Sequence, residues 1–363
     1  MTDWGGERPG LRPVRCLSFH SGYACRNSGV CCSSGWDIAV EQDVEAQLLP
    51  RLRASARLPN GPDGFRPMAD PPKNSRSSLR RSGTTGSCWF RDDADHRCAI
   101  HREFGDAALP SACRHFPRVC VLEPAGVSLS LSHYCPTAVD LLFDETPGFS
   151  VVSAPRAFPD TWPFEGLDAR EAYPPFLRPG VLLGFDGLRA FEEDAVRVLS
   201  TTDLWTSLAT LDAAVEKVRS WNTAAGPLPA VIRKSFADSA GGGSTSASWT
   251  DPRSILRVSA TEGIPATDLS GFRFAPAYVS RLADLPLRKY LAARLIAAWI
   301  MFQADDLRTV VKYLRLCLDT VLLFVAAVPP DLSEPNRWKA AIRNADLWLL
   351  HYSDPERLAR NLR

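Results

Sequence analysis

The stretch CRNSGVCC, residues 25–32, places three thiols within eight residues, and two of them are adjacent. Neighbouring side chains point in different directions in helices and in strands. A Cys-Cys pair therefore cannot easily place both side chains in one apolar core. Either Cys31 and Cys32 serve different partners, or the backbone bends so that both sulfurs reach one metal.

The chain has 10 cysteines in 363 residues, and all but Cys317 are found in its first 135 residues. The N-terminal sequence lacks the apolar run of a signal peptide, so we expect a cytoplasmic protein. In a reducing cytosol, clustered cysteines are more often metal ligands than disulfides. Cys317 lies on the apolar face of a predicted helix and is interpreted as a core residue. The candidate metal ligands are Cys16, Cys25, Cys31, Cys32, Cys88, Cys98, Cys113, Cys120 and Cys135.

The charge balance points away from nucleic acid and from anionic membranes as main partners. The formal net charge is +1 and the isoelectric point is about 7.6. The most apolar window, LRLCLDTVLLFVAAV at 314–328, contains Arg315 and Asp319 and is followed by a proline. It is too short and too charged to span a bilayer, and it predicts a buried helix.

The sequence predicts a mainly α fold with an irregular cysteine-rich N-terminal region, 1–150, that contains a small β-hairpin. In that region we expect a helix over 37–58, which Pro50 kinks or splits, and a loop over 59–87. Alternation around a Pro-Ala-Gly turn predicts the hairpin at about 118–132, which would bring Cys120 and Cys135 towards each other. We find no internal repeat.

Residues 151–363 are expected to form a helical domain that packs on, or wraps around, the cysteine region. Asp203 and Ser333 are predicted helix caps. The composition of SAGGGSTSAS, at 239–248, predicts a flexible linker near 237–250. Apolar periodicity predicts helices over 186–200, 203–222, 284–303, 305–327 and 334–351.

Several segments in the N-terminal region together resemble a known family. After the CC pair come SSGWDIAV (33–40) and CWF (88–90), and then CAIHREFG (98–105), LPSACRHFPR (109–118) and SLSLSHYCPTAVDLL (128–142). The order of these segments is similar to that of the CxxCxxCC family, described as a zinc- or iron-chelating domain. Within that family, the likeness is closest to the flagellin lysine-N-methylase branch. Over the C-terminal half it rests on little more than LRKYLAARLIAAW, at 287–299.

The resemblance implies that seven of the cysteines are ligands. The other two, Cys16 and Cys120, are possible substitutes for a missing ligand. Ser28 stands where the family name expects a cysteine, and Cys16 or Cys120 could replace that missing thiolate. An iron–sulfur cluster and a structural zinc each need about four ligands. The resemblance favours a [4Fe–4S] cluster, whereas spacing alone leaves zinc open, with His101 as the best histidine candidate. The carried-over ligands are Cys25, Cys31, Cys32, Cys88, Cys98, Cys113 and Cys135.

Arg114 and Arg118 flank Cys113 and are candidate cofactor-binding residues. A guanidinium offsets the negative charge of a cluster, or it binds a carboxylate or phosphate of a small ligand; an ordinary surface ion pair is the alternative. The resemblance implies S-adenosylmethionine-dependent methyl transfer to a protein lysine, with flagellin as the family's substrate. The sequence itself leaves open a non-catalytic zinc- or iron-binding structural or redox module. No dinucleotide-binding, zinc-protease, hydrolase or kinase motif is present.

Overall fold

The computed structural model describes residues 13–58, 60–72, 74–146, 148–153, 166–240, 250–260, 279, 281–329 and 331–363. Helices predominate, as the sequence predicts, and a π-helical turn over Leu347–Tyr352 follows the eleventh of them. The helices are α1 Gln42–Ala54, α2 Ala99–Phe104, α3 Ser111–His115, α4 Pro136–Leu142, α5 Gly184–Thr201, α6 Leu204–Arg219, α7 Leu228–Ala237, α8 Arg253–Ser259, α9 Arg281–Leu295, α10 Leu307–Ala327, α11 Glu334–Asp346 and α12 Pro355–Asn361.

The strands form one five-stranded sheet, one three-stranded sheet and one two-stranded ribbon within the described ranges. The spatial orders are β7-β1-β6-β5-β8, β2-β4-β3 and β10-β9. The strands are β1 Val14–Leu17, β2 Ala39–Glu41, β3 Phe65–Pro67, β4 Ser75–Leu79, β5 Arg118–Glu123, β6 Gly126–Leu131, β7 Val151–Ser153, β8 Leu167–Asp168, β9 Phe176–Arg178 and β10 Val181–Leu182.

The predicted hairpin is confirmed as β5 and β6, but it belongs to a larger sheet than expected. Strand β1 pairs in parallel with β6, and β7 and β8 extend the sheet on either side. Leu129 of β6 pairs with Cys16 on one side and with Cys120 on the other. Because β7 and β8 come after residue 150, strand pairing crosses the boundary expected there.

The helical half surrounds a large apolar core. Tyr290, Phe191 and Phe236 are among its largest fully buried side chains, and Cys317 of α10 is completely buried, as predicted. The side chain of Asp203 caps α6 by accepting hydrogen bonds from the backbone N–H groups of Trp205 and Thr206. Among the described residues, no helix combines the length and apolarity needed to cross a membrane.

Three sequence predictions in the first half are wrong in detail. The segment before α1 is strand β2, because the carbonyl of Ile38 accepts a hydrogen bond from the backbone N–H of Leu79. The region 59–87, predicted to be a loop, contains β3 and β4. The pattern of alternating apolar residues does not reveal these strands, because β4 is rich in serine. Helix α1 continues through Pro50 to Ala54, so of the two predicted outcomes, a kink or a split, the split is wrong.

The later helices differ from their predicted ranges mainly at their ends. Helix α9 ends at Leu295, before the predicted boundary, and a separate 3₁₀ turn follows at Trp299–Phe302. Ser333 precedes α11 as predicted, but its side chain makes no capping hydrogen bond. The short helices α7, α8 and α12 were not predicted. Of the predicted linker, residues 241–249 lie outside the described ranges.

Candidate metal centre

Two consecutive ten-residue turns carry Cys88 and Cys98, and they share backbone hydrogen bonds at equivalent positions. In the first, the backbone N–H of Ser82 donates to the carbonyl of Ser87 over 2.8 Å; in the second, Asp92 donates to Arg97 over 2.9 Å. Isolated bridges pair Arg81 with Cys88 and Arg91 with Cys98. Residues 81–90 and 91–100 therefore form a structural repeat with a period of ten, which the sequence analysis missed.

The CC pair lies in a 3₁₀ turn, Val30–Ser33, that packs directly on this repeat. Gly29 begins the turn with a φ of 67°, and a Cβ at Gly29 would lie 1.5 Å from the carbonyl oxygen of His96. The backbone N–H of Cys88 donates to the carbonyl of Cys32 over 2.7 Å. Contacts with both turns of the repeat therefore stabilise the backbone bend that the adjacent cysteines require.

Four thiols converge at this junction. Side-chain hydrogen bonding between the Cys32 thiol and those of Cys31, Cys88 and Cys98 is the largest influence on the pKa of each of the four thiols. Contact with Cys32 lowers the pKa of the Cys31 and Cys88 thiols and lowers that of Cys98 to about 7. The pKa of Cys32 itself is raised, because its thiol is the common donor. All four side chains are half-buried.

Backbone N–H groups lower the pKa of three of these thiols, and for Cys31 they are those of Cys31 and Cys32. The sulfur of Cys88 accepts from the backbone of Phe90, and that of Cys98 accepts from Ile100 and His101. Both interactions lower the pKa of the thiol that accepts them. A hydrogen bond to a sulfur favours its thiolate form over its thiol form, and thiolates are the form of cysteine that binds metals.

The other three carried-over cysteines, Cys25, Cys113 and Cys135, line the same cavity as the four-thiol group. This cavity, called here the cysteine cavity, has a volume of about 300 Å³. The sulfur of Cys135 lies 3.6 Å from the phenol oxygen of Tyr23, and that of Cys25 accepts a 3.3 Å hydrogen bond from the backbone N–H of Asn27. All seven carried-over cysteines thus face one cavity. They are Cys25, Cys31, Cys32, Cys88, Cys98, Cys113 and Cys135.

Cys16 and Cys120, the two suggested substitutes, lie elsewhere. Both are completely buried in the five-stranded sheet, within an apolar cluster that includes Leu129 and Leu131. Burial raises the pKa of each thiol to about 12. Neither residue lines the cysteine cavity, so the structure offers no replacement for a thiolate at Ser28 from these strands.

Arg114 and Arg118 both line the cysteine cavity. The guanidinium carbon of Arg118 lies 5.5 Å from the centre of the Tyr23 ring, and its Nη1 donates to the backbone carbonyls of Arg114 and His115. Burial lowers the pKa of Arg118. Positive charge is therefore held at the wall of the cavity, on the side that carries Tyr23.

The histidines divide between several places. His101 lines the cysteine cavity, whereas His96 is exposed and carries the carbonyl that faces Gly29. His133 is fully buried, with its Nε2 3.2 Å from that of His20 and its backbone N–H donating to Asp346. Sequence reasoning missed Tyr23 and Gly29, because their roles depend on contacts with Cys135 and with His96 that are distant in the chain.

Within the described residues, no group of three or more His, Cys, Asp or Glu side chains has an arrangement that could hold a metal ion, and this includes the four thiols around Cys32. No protein-family model matches the chain. No curated protein and no solved structure matches it either. The resemblance to the CxxCxxCC family and the metal site remain predictions.

Proposed function

We propose that Cys31, Cys32, Cys88 and Cys98 hold one metal centre and that the chain is a cysteine-cluster metalloprotein. The interaction of one thiol, that of Cys32, with three others supports this most strongly, because they come from three separate stretches of the chain. A cysteine in an ordinary apolar core packs as a small apolar side chain and does not require other cysteines beside it. The backbone N–H groups directed at Cys88 and Cys98 add to the support, since such donors stabilise metal-bound thiolates.

The four residues supply the donor set of two kinds of centre. Four thiolates satisfy a [4Fe–4S] cluster, and four thiolates also satisfy a structural zinc. A bound cluster would supply a redox-active or ligand-binding iron site, whereas zinc would supply a rigid cross-link. We favour the [4Fe–4S] cluster, following the sequence resemblance, with zinc as the alternative.

The enzymatic form of the proposal is methyl transfer from S-adenosylmethionine to a protein lysine. The donor supplies an activated methyl group: the uncharged lysine nitrogen would form the new N–C bond as the donor's S–C bond to that methyl breaks, and S-adenosylhomocysteine would leave. The proton that the lysine loses beforehand would pass to solvent. In this reading Arg114 and Arg118 bind a carboxylate of the donor at the cavity wall, since a guanidinium pairs well with carboxylates. A lysine must lose its proton before its nitrogen can attack, which an apolar surrounding favours. The acceptor is a protein with surface lysines, such as flagellin.

Methyl transfer is tested by incubating anaerobically purified protein with radiolabelled S-adenosylmethionine and flagellin. The enzymatic proposal predicts label on lysine, and loss of that label in Cys32→Ser. The matched control is Cys120→Ala, which alters a buried thiol outside the cysteine cavity. An intact metal centre with no transfer to flagellin, and no binding of the donor, would contradict the enzymatic form.

A non-catalytic structural or redox module is the second candidate. The apolar cluster around the cysteine turns is small, with Leu48, Leu52, Phe90 and Ile100 among its few fully buried members. A region with so little core gains much of its stability from a metal cross-link. Loss of folding on chelation, without donor binding, would support this candidate.

A further inference from the structure

A second cavity, called here the arginine cavity, lies beside the cysteine cavity and has a volume of about 250 Å³. It is bounded by the N-terminal region on one side and by helices of the C-terminal half on the other. The two cavities share five lining residues: Trp36, Ile38, Ala112, Phe116 and Arg118. The shared wall places any occupant of the arginine cavity next to the cysteines.

The lining of the arginine cavity is apolar and carries no acidic side chain among the described residues. Ile300, Leu349 and Leu358 represent its aliphatic part. Its two charged lining residues are both arginines, Arg118 and Arg294. A pocket with apolar walls and a few convergent polar groups is the usual form of a small-molecule site.

Two buried donors in this lining have no hydrogen-bond partner among the described residues: Nε1 of Trp36 and Nε of Arg294. The other guanidinium nitrogens of Arg294 are used, because Nη2 donates to the carbonyl of Leu131 over 2.6 Å and Nη1 lies 3.5 Å from Asp346. Only 3% of Arg294 is exposed. A buried donor without an acceptor costs free energy, so an acceptor supplied by a ligand would be stabilising.

The aromatic part of the wall is held rigidly. The rings of Trp36 and His351 stack with their centres 4.3 Å apart, and Nε2 of His351 lies 2.8 Å from the hydroxyl of Ser132. Phe116 lies 5.3 Å from Trp36 by ring centres. Burial lowers the pKa of His351 to about 4, so its ring is neutral near pH 7. The positive charge of the wall therefore comes from the arginines.

We infer that the arginine cavity binds a small organic anion with an apolar body and a carboxylate. The carboxylate would accept from Nε of Arg294 and from Nε1 of Trp36, and the apolar body would lie against the aliphatic and aromatic walls. This site is distinct from the proposed metal centre. It requires neither metal nor methyl transfer.

The inference is tested by ¹⁹F NMR titration with three probes that share one apolar body: 4-(trifluoromethyl)benzoate, the corresponding benzyl alcohol and the corresponding benzylamine. We expect the benzoate to bind about tenfold more tightly than the alcohol, as one charge-assisted hydrogen bond provides, and the amine to show no saturable binding. Equal binding of benzoate and alcohol, tightest binding of the amine, or no binding of any probe would overturn the inference.

Variants of the cavity residues test where the probe binds. Trp36→Phe keeps an aromatic ring but removes one donor, so it should reduce the preference for benzoate over alcohol. Arg294→Met removes the charged donor and should abolish that preference. Arg360→Met, which removes an exposed guanidinium on α12, is the control and should keep that preference. If Arg294→Met fails to fold, Trp36→Phe alone decides. Cys32→Ser must still bind the benzoate; loss of binding there would place the probe at the metal and overturn the inference.

Discussion

The backbone carbonyl of Cys32 accepts a 2.7 Å hydrogen bond from the backbone N–H of Cys88. This bond joins the CC turn to the first cysteine turn through the main chain, so the meeting of their thiols does not depend on side-chain rotamers alone. On the second cysteine turn, the carbonyl of His96 lies against Gly29. The candidate metal centre is therefore built on three backbone segments that hold one another.

Replacing Gly29 by alanine should disrupt the centre. The new Cβ would lie 1.5 Å from the carbonyl oxygen of His96, and a φ of 67° is unfavourable for any residue with a Cβ. We expect a loss of bound metal together with a fall in the free energy of unfolding well beyond the roughly 1–2 kcal/mol of a left-handed residue. Metal analysis and urea titration measure the two effects.

Gly86→Ala is the matched control for Gly29→Ala. Gly86 also has a positive φ, of 68°, but nothing lies within 4 Å of the position that its Cβ would take. The control should cost only the conformational penalty of roughly 1–2 kcal/mol and should keep its metal. If both variants lose the same stability and both keep their metal, the packing of Gly29 on His96 is not needed.

Asp203→Ala should destabilise the helical half by about 1 kcal/mol, because α6 loses a cap that satisfies two backbone N–H groups. Ser333→Ala is the comparison, since Ser333 occupies the cap position of α11 without a side-chain hydrogen bond. We expect it to change stability much less. Thermal unfolding of both variants would reveal the difference, and equal losses would contradict the capping assignment.

Glu192 should make the stability depend on pH. Burial raises its pKa to about 7, although the neighbouring Arg15 opposes the rise. The folded chain then binds the proton more tightly than the unfolded chain, whose carboxyl has a pKa of about 4.5. The free energy of unfolding should therefore fall as the pH rises from about 4.5 to about 7, by at most about 1.4 kcal/mol per pH unit from this group.

Glu192→Gln removes that contribution, so its free energy of unfolding should fall less over this pH range than that of the parent chain. Glu193→Gln changes the exposed neighbour and should leave the slope unchanged. Urea titrations at half-unit pH intervals, on all three chains, provide the curves. Parallel curves for the parent chain and Glu192→Gln would contradict the assignment.

The individual cysteines should differ in their effect on metal content. Cys98→Ser should remove most of the metal, because the proposed centre loses one of its four thiolates. Cys120→Ala should keep the metal, since Cys120 is buried in the five-stranded sheet away from the cysteine cavity. The metal-to-protein ratio of both variants tests this. Retention by Cys98→Ser with loss by Cys120→Ala would reverse the assignment.

Long elements could be predicted from the sequence because their apolar periodicity is strong. This holds for α5, α6 and α10, and for the β5–β6 hairpin with its central turn. It fails for β3 and β4, because β4 is rich in serine and both strands are held by backbone pairing that composition does not reveal. The same reason hid the repeat over 81–100, since the two halves share hydrogen bonds, an arginine and a cysteine but few other side chains.

The sequence predicted which type of residue forms the candidate site, but it did not predict which of the cysteines lie together. The family resemblance carried over seven cysteines that line one cavity, yet neither the resemblance nor the spacing separates the four around Cys32 from Cys25, Cys113 and Cys135. That separation depends on backbone contacts between distant segments. Spacing likewise could not show that Cys16 and Cys120 pair with Leu129 in a buried sheet.

Metal and acid-labile sulfide analysis of anaerobically purified protein tests the central claim most directly. The proposal predicts iron and sulfide in near-equal amounts at about four per chain, or one zinc per chain in the alternative form, and loss of either in Cys32→Ser. A folded chain that contains neither metal nor sulfide would contradict it.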